Sequence, residues 1–377
     1  MIQNRNASCA ALIPCPAPEA GGYAEFSNRS KRGVPYSKLM KPFHAILVCL
    51  ILQMPAALLA GDWVQYNGKS GPGKGKHIVL LAGDDEYRSE EGLPQLGKIL
   101  AVRHGFKCTV LFSVNPTTGE IDPNDHVNLP GLEALDTADL CVMLWRFREP
   151  TDDKMKHFAN YLNSGKPIIA LRTSTHAFSF DKNKQSAYLK YDWRSKEWVG
   201  GFGQHVLGDT WISHHGNHGK ESTRGVINPA FKDHPILKGV TDIWGPSDVY
   251  GIIHLPADAK VLAYGQILAG MKPTDGPVQD KRNDPMMPLI WIRDYKGEKG
   301  KTSKILATTM GAATDLESEG LRRLLVNGAY WALGMDKKIK EGTNVDYVGQ
   351  YKPTPFGFNT FQKGVKPSAH ELDPNAK

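Results

Sequence analysis

The densest set of groups able to do chemistry is Gly83-Asp84-Asp85-Glu86-Tyr87-Arg88-Ser89-Glu90-Glu91, which follows directly on the apolar run His77–Ala82. Carboxylates beside a phenol and a guanidinium at a strand end can move protons or hold an oxygen-rich ligand. Ser89, Glu90 and Glu91 are read instead as groups that complement the positive end of the helix that follows. For Asp84, Glu86, Tyr87 and Arg88 both readings stand. A second set comprises Arg146 and Arg148 after one apolar run and Arg172 after another. Their forked guanidinium groups suit carboxylates, phosphates or vicinal hydroxyls, and they equally suit pairing with Asp84, Asp85 and Glu86.

Lys166-Pro167-Ile168-Ile169-Ala170-Leu171 leads straight into Arg172-Thr173-Ser174-Thr175-His176. A buried strand ending in a tight polar turn has the shape of a nucleophile elbow. The apex is Arg172, and Ser174 and Thr175 lie beyond the expected place, so acyl transfer by a serine or a thiol is disfavoured. His176, whose position is set by the strand end, is the preferred general base, with Asp84 or Glu86 as its acid/base partner. Arg146 and Arg172 would orient ligand oxygens, and Tyr87, Arg88, Arg148, Thr175 and Tyr250 complete the expected binding set.

His214-His215-Gly216-Asn217-His218 lacks the carboxylate and helical register of a His-Glu-x-x-His zinc site. Hydrogen-bonded loop histidines are therefore preferred for His205, His215 and His218, while a divalent metal at His214 and His218 stays open; no cofactor is assigned. Trp193, Trp198, Trp211 and Trp244 could stack on a sugar ring, but are read first as a mini-core that pins an insertion. No Gly-x-Gly-x-x-Gly or Walker pattern follows a strand, which disfavours nucleotide binding.

The elements that must position these groups follow from periodicity. Apolar runs predict strands over residues 77–82, 106–112, 140–145 and 167–171. Helices are expected over 90–104, over 151–162 with Thr151 as its cap, and over 315–333. Shorter strands are expected at 224–227, 249–253, 261–267, 289–292 and 305–309. Strands alternating with helices imply an α/β, doubly wound, mostly parallel sheet whose ligand lies at the strands' carboxyl ends. Residues 181–220 follow no period and read as a Trp- and His-rich insertion laid over that sheet. Residues 61–76 read as a Gly/Lys-rich linker, 77–335 as the domain, and 336–377 as a tail packing on it through Tyr347, Tyr351, Phe356, Phe358 and Phe361.

The chain has 377 residues, 41% of them apolar, and a net charge of +7. Residues 1–60 carry six Lys/Arg against two acids, so the excess lies mainly there and leaves no nucleic-acid footprint. Residues 40–60 have the layout of a signal peptide, an apolar run behind Lys38 and Lys41, with an uncleaved anchor as the less favoured alternative. Residues 1–39 read as a disordered leader or a mis-assigned start. A periplasmic or extracellular location is expected, with contact to the membrane only through the signal peptide. Cys108 and Cys141 sit in apolar runs and read as inert core residues.

The elbow, the Asn228–Gly239 segment with His234-Pro235-Ile236, the Asp248-Val249-Tyr250-Gly251 run and the Gly300–Gly311 strand before a terminal helix together resemble the ThuA-like, or trehalose-utilisation, family. The resemblance covers about residues 77–335. It implies a flavodoxin-like sheet similar to class I glutamine amidotransferases without their cysteine, and a sugar or keto-sugar as ligand. The family often has His where this chain has Arg172; its following His matches His176. The function expected is an exported protein that acts on or binds carbohydrate. A non-catalytic binding or scaffold domain on the same fold is the alternative, and the oligomeric state is left open.

Overall fold

The computed structural model describes residues 61–373; the leader and signal peptide expected over residues 1–60 lie outside the described residues. Ten strands form one mixed sheet: β1 (Trp63–Asn67), β2 (His77–Gly83), β3 (Lys107–Phe112), β4 (Leu140–Trp145), β5 (Ile168–Leu171), β6 (Thr223–Ile227), β7 (Ile243–Gly245), β8 (Lys260–Ile267), β9 (Met287–Lys296) and β10 (Thr302–Thr308). Their order is β1-β3-β2-β4-β5-β10-β9-β8-β6-β7. Strands β3, β2, β4, β5 and β10 are mutually parallel, and the flanking strands are antiparallel. Chain order reverses between β2 and β4, and such a switch point opens a crevice above the carboxyl ends of the strands.

The parallel strands are apolar along their whole length because both faces are covered. Ile78, Leu80 and Ala82 of β2 pack with Leu93, Leu96 and Ile99 of α1 (Ser89–His104), in a cluster shared with Leu321, Leu324 and Leu325 of α3 (Glu319–Ala332). Val79 and Leu81 face the opposite cluster, with Met155, Phe158 and Leu162 of α2 (Asp152–Asn163). Each fully buried Leu or Ile contributes roughly 1.5–3 kcal/mol, so a polar residue in these runs would be costly. Cys108 and Cys141 are unpaired and fully buried, one in each cluster, and burial pushes both thiols up.

Several expectations need correction. The supposed linker contains β1, whose alternating exposed and buried residues pair it antiparallel to β3 as the sheet edge. The half of the sheet beyond β10 is antiparallel, so the parallel arrangement stops at five strands. Residues 249–253 form no strand and make a single bridge, Tyr250 to His214. Thr151 precedes α2 without capping it, since its hydroxyl donates to Asp153 rather than accepting a backbone N–H. The terminal helix begins at Glu319, where Ser318 accepts from the Leu321 N–H at 3.3 Å; residues 313–317 form a separate 3-10 turn.

Residues 181–220 are irregular and join the second core through Tyr191, Phe202, Val206 and Leu207. At Gly203 a Cβ would lie 1.9 Å from the Thr175 carbonyl oxygen, so glycine is what lets the insertion lie directly on the turn after β5. Trp198, half-buried against this core, stacks on the exposed His205, while Trp211 reaches the strand ends. Among the described residues no helix is long and apolar enough to cross a membrane.

Candidate functional site at the strand ends

Three non-glycine residues at the ends of the parallel strands have left-handed backbone: Arg88 (φ 57°), Phe147 (φ 51°) and Arg172 (φ 38°). Such conformations cost of order 1 kcal/mol each and persist where the surroundings over-determine them. At Arg172 the surroundings are explicit. Its side chain is fully buried between the rings of Tyr87 and Tyr250, with the guanidinium carbon 4.1 and 4.3 Å from their centroids. It donates to the carbonyls of Thr309 (2.7 Å) and Asp248 (3.0 Å), to the Tyr87 hydroxyl (3.0 Å) and to Asp248 Oδ1 (2.8 Å). Arg172 is thus a positioning residue beneath the site, and the expectation that it orients a ligand is corrected by its burial.

Asp248 is the centre of the arrangement, joining Arg172 to His214 and His218. Asp315 fixes it from one side by accepting from the Ser247 hydroxyl (2.6 Å) and N–H (3.1 Å). From the other side its Oδ2 is 2.7 Å from His214 Nδ1 and its Oδ1 2.9 Å from His218 Nδ1. His218 Nε2 lies 3.1 Å from Glu86 Oε1. Burial opposes a charge on Asp248, but Arg172 and the two histidines outweigh it and hold its carboxyl well below the usual range. The hydrogen bonds to Asp248 and Glu86 push His218 up to about 9. Both histidines remain about one-third exposed, whereas the Asp248 carboxylate is fully buried.

A rim of rings and charges runs outward from this cluster. His214 meets Trp211 (5.8 Å between centroids), Trp211 meets His176 (5.4 Å), and His176 meets Phe147 (5.0 Å). The Arg146 guanidinium lies 4.7 Å from the centroids of both Phe147 and Phe358, and donates to Asp85 Oδ1 at 2.8 Å. Burial opposes the charge on Asp85, but His126, 3.4 Å away, and Arg146 keep its carboxyl low. His176 is buried, with Nδ1 3.2 Å from Thr175 Oγ1; burial first, then Arg146 and Arg172, push its pKa well down, so it is a neutral base.

Other expected site residues serve the scaffold. Asp84 is fully buried and accepts from the N–H groups of Glu86 (2.7 Å) and Tyr87 and from the Thr173 hydroxyl; burial, then Asp85, raises its pKa. It shapes the loop rather than facing the rim. Arg148 is turned inward, donating to Ser113 Oγ and to the carbonyls of Pro123, Asp125 and Arg146. Arg88 is buried and donates to Gly357 O and, at 2.9 Å, Thr360 Oγ1, which locks the chain's tail over the loop. Thr175 is buried and donates to the Arg172 carbonyl. Glu86, Tyr87, Arg146, His176, Tyr250, His214 and His218 do come together. His126 is an addition to the expected set, and Phe356 and Phe358, expected to pack the tail on the domain, do so at the site itself: Phe356 packs on Tyr87 and His218 at 5.2 and 5.4 Å.

No protein-family model and no curated protein matches the chain. Among solved structures it is similar to a ThuA-like protein from Parabacteroides merdae ATCC 43184, with 15% identity over 71% of this chain and 96% of that one and a TM-score of 0.45. It is also similar to a ThuA-like protein from Bacteroides uniformis ATCC 8492, with 16% identity over 73% and 97% and a TM-score of 0.43.

Proposed function

We propose that this protein is an exported, ThuA-like carbohydrate-active protein that takes a sugar or keto-sugar at the carboxyl ends of β2, β4 and β5. The observation that carries the reading is the rim itself. Arg146 lies between two phenyl faces, and His176 lies between Phe147 and Trp211, so aromatic surface alternates with hydrogen-bonding groups. A pyranose has apolar C–H faces and a hydroxyl edge, and such a rim complements both. The parallel strands, counted by themselves in chain order, run 2-1-3-4-5, which supports the flavodoxin-like, amidotransferase-like class implied by the sequence resemblance.

In this reading His176, neutral within its aromatic surroundings, accepts a proton from the ligand, and Glu86 is its acid/base partner. Arg146 orients an oxygen. Asp84, sequestered under the loop, takes no part. The partner is a small carbohydrate, with no nucleic acid involved and membrane contact confined to export. The rival, a non-catalytic binding domain, uses the same rim without turnover. Incubation with sugars and 3-keto-sugars, followed by product analysis, separates the two. His176→Ala should abolish turnover while retaining binding; binding with no turnover on any of them would favour the rival, and neither binding nor turnover would remove the carbohydrate reading.

A further inference from the structure

We infer that His214, His218 and Asp248 form a divalent-cation site at the floor of the proposed sugar site. The inference deepens that reading, but rests on its own geometry.

One ligand atom from each of the three residues lies within 4.8 Å of the other two. The two imidazole Nδ1 atoms stand 2.7 and 2.9 Å from the oxygens of one carboxylate. Donors bound to one first-row cation at about 2.0–2.2 Å are themselves roughly 3 Å apart, so each histidine already stands at that spacing from the carboxylate, and the group as a whole must draw closer to hold an ion. Two imidazoles and a carboxylate are a donor set for zinc, iron(II) or a neighbouring divalent metal, and three protein ligands leave a coordination position for water or a ligand oxygen. The partial exposure of both histidines puts that position on the open side of the cluster, since the Asp248 carboxylate closes the other.

The supports around the three residues are those a metal site uses. Arg172 grips Asp248 Oδ1 from below, and Glu86 Oε1 stands 3.1 Å from His218 Nε2. With Nδ1 on a metal, Nε2–H would donate to that carboxylate, fixing the tautomer and the ring plane. The histidine loop is also held in place. The His215 and Gly216 N–H groups donate to the Val249 carbonyl at 2.8 and 3.0 Å, and Gly251 N–H donates to Ser213 O at 3.0 Å. The loop runs close to Asp248: a Cβ at Gly216 would meet Asp248 Cβ in a tight contact at 3.3 Å. His215, between the ligands in sequence, points away and bonds the Arg282 carbonyl at 2.8 Å. A cation here would draw in two adjacent oxygens of a ligand, a vicinal diol or a hydroxy-ketone, which links the site to the sugar reading.

The test is titration of the EDTA-treated, purified protein with Co²⁺ and Zn²⁺ in the absence of sugar, followed by calorimetry and by the visible d–d bands of cobalt. The expected result is one equivalent of saturable binding, weakened at least ~100-fold in His214→Ala and in His218→Ala and unchanged in His215→Ala. Circular dichroism confirms that each variant is folded, and the partly exposed His214 makes its alanine variant the safest readout. No saturable binding by the wild-type protein, or binding that survives both alanine substitutions, would overturn the site. Metal binding without any sugar response leaves the cation site standing and removes the carbohydrate reading; sugar binding without metal does the converse.

Discussion

Replacing Arg172 by Met tests the platform on which the whole site stands. Methionine keeps an unbranched stem that fits between Tyr87 and Tyr250 but removes the charge and the donors. The Asp248 carboxylate, fully buried, would lose its guanidinium partner, and breaking such a pair from one side costs about 3–5 kcal/mol. The carbonyls of Thr309 and Asp248 lose a donor as well, which brings the expectation toward the upper end of that range. Urea unfolding at neutral pH measures the loss as a lowered midpoint. The companion variant Asp248→Asn and the double variant complete a cycle: once the carboxylate is neutral, losing Arg172 should cost about 2 kcal/mol less than it does in the wild type. A single-variant loss below about 1 kcal/mol, or strict additivity in the cycle, would refute the idea that Arg172 exists to hold Asp248.

Other outcomes are expected away from that pair. His104 is buried, with its ring nitrogens on the Tyr330 hydroxyl and the Asn344 carbonyl, and burial pushes its pKa down to about 4. The unfolded chain therefore binds a proton first as pH falls from about 6.5. Stability on this account is full above pH 6.5, is lost as pH falls toward 4, and levels off below, for a total of about 3 kcal/mol from this group. His370 and His77 add to the same slope, so the readout is the difference in unfolding free energy between wild type and His104→Gln across that window; equal slopes would disprove the assignment. Arg88→Met removes the donor to Gly357 and Thr360, and should loosen the tail by about 2 kcal/mol. Limited proteolysis beyond residue 349 should then run ~30-fold faster, and an unchanged rate would show that the tail is held by other contacts.

How much of this was legible in the sequence depended on the kind of contact. The runs that became β2 to β5 announced themselves because a strand buried on both faces must be continuously apolar. β1 did not, since Trp63–Asn67 is a short half-exposed edge among glycines and lysines. The antiparallel direction of β6 to β9 is a property of pairing, which strand composition does not encode. Within the site, Glu86, Tyr87, Arg146 and His176 were found because they sit at predicted strand ends. Asp248 was not singled out, because its partner Arg172 is 76 residues away and its own segment is irregular. Asp84, Arg88 and Arg148 look like site residues by position and type; their hydrogen bonds to the loop backbone, the tail and neighbouring carbonyls, which the sequence does not reveal, mark them as groups that shape the loop.

In the proposed function the aromatic and charged rim above the strand ends receives a carbohydrate. A thermal-shift series of sugars and 3-keto-sugars on wild-type protein and on Arg146→Met, whose side chain lies on the rim rather than beneath it, tests that most directly. At least one of these ligands should raise the wild-type melting temperature in a saturable way, and the shift should largely vanish in Arg146→Met. No shift with any of them, or a shift of equal size in the variant, would contradict the account.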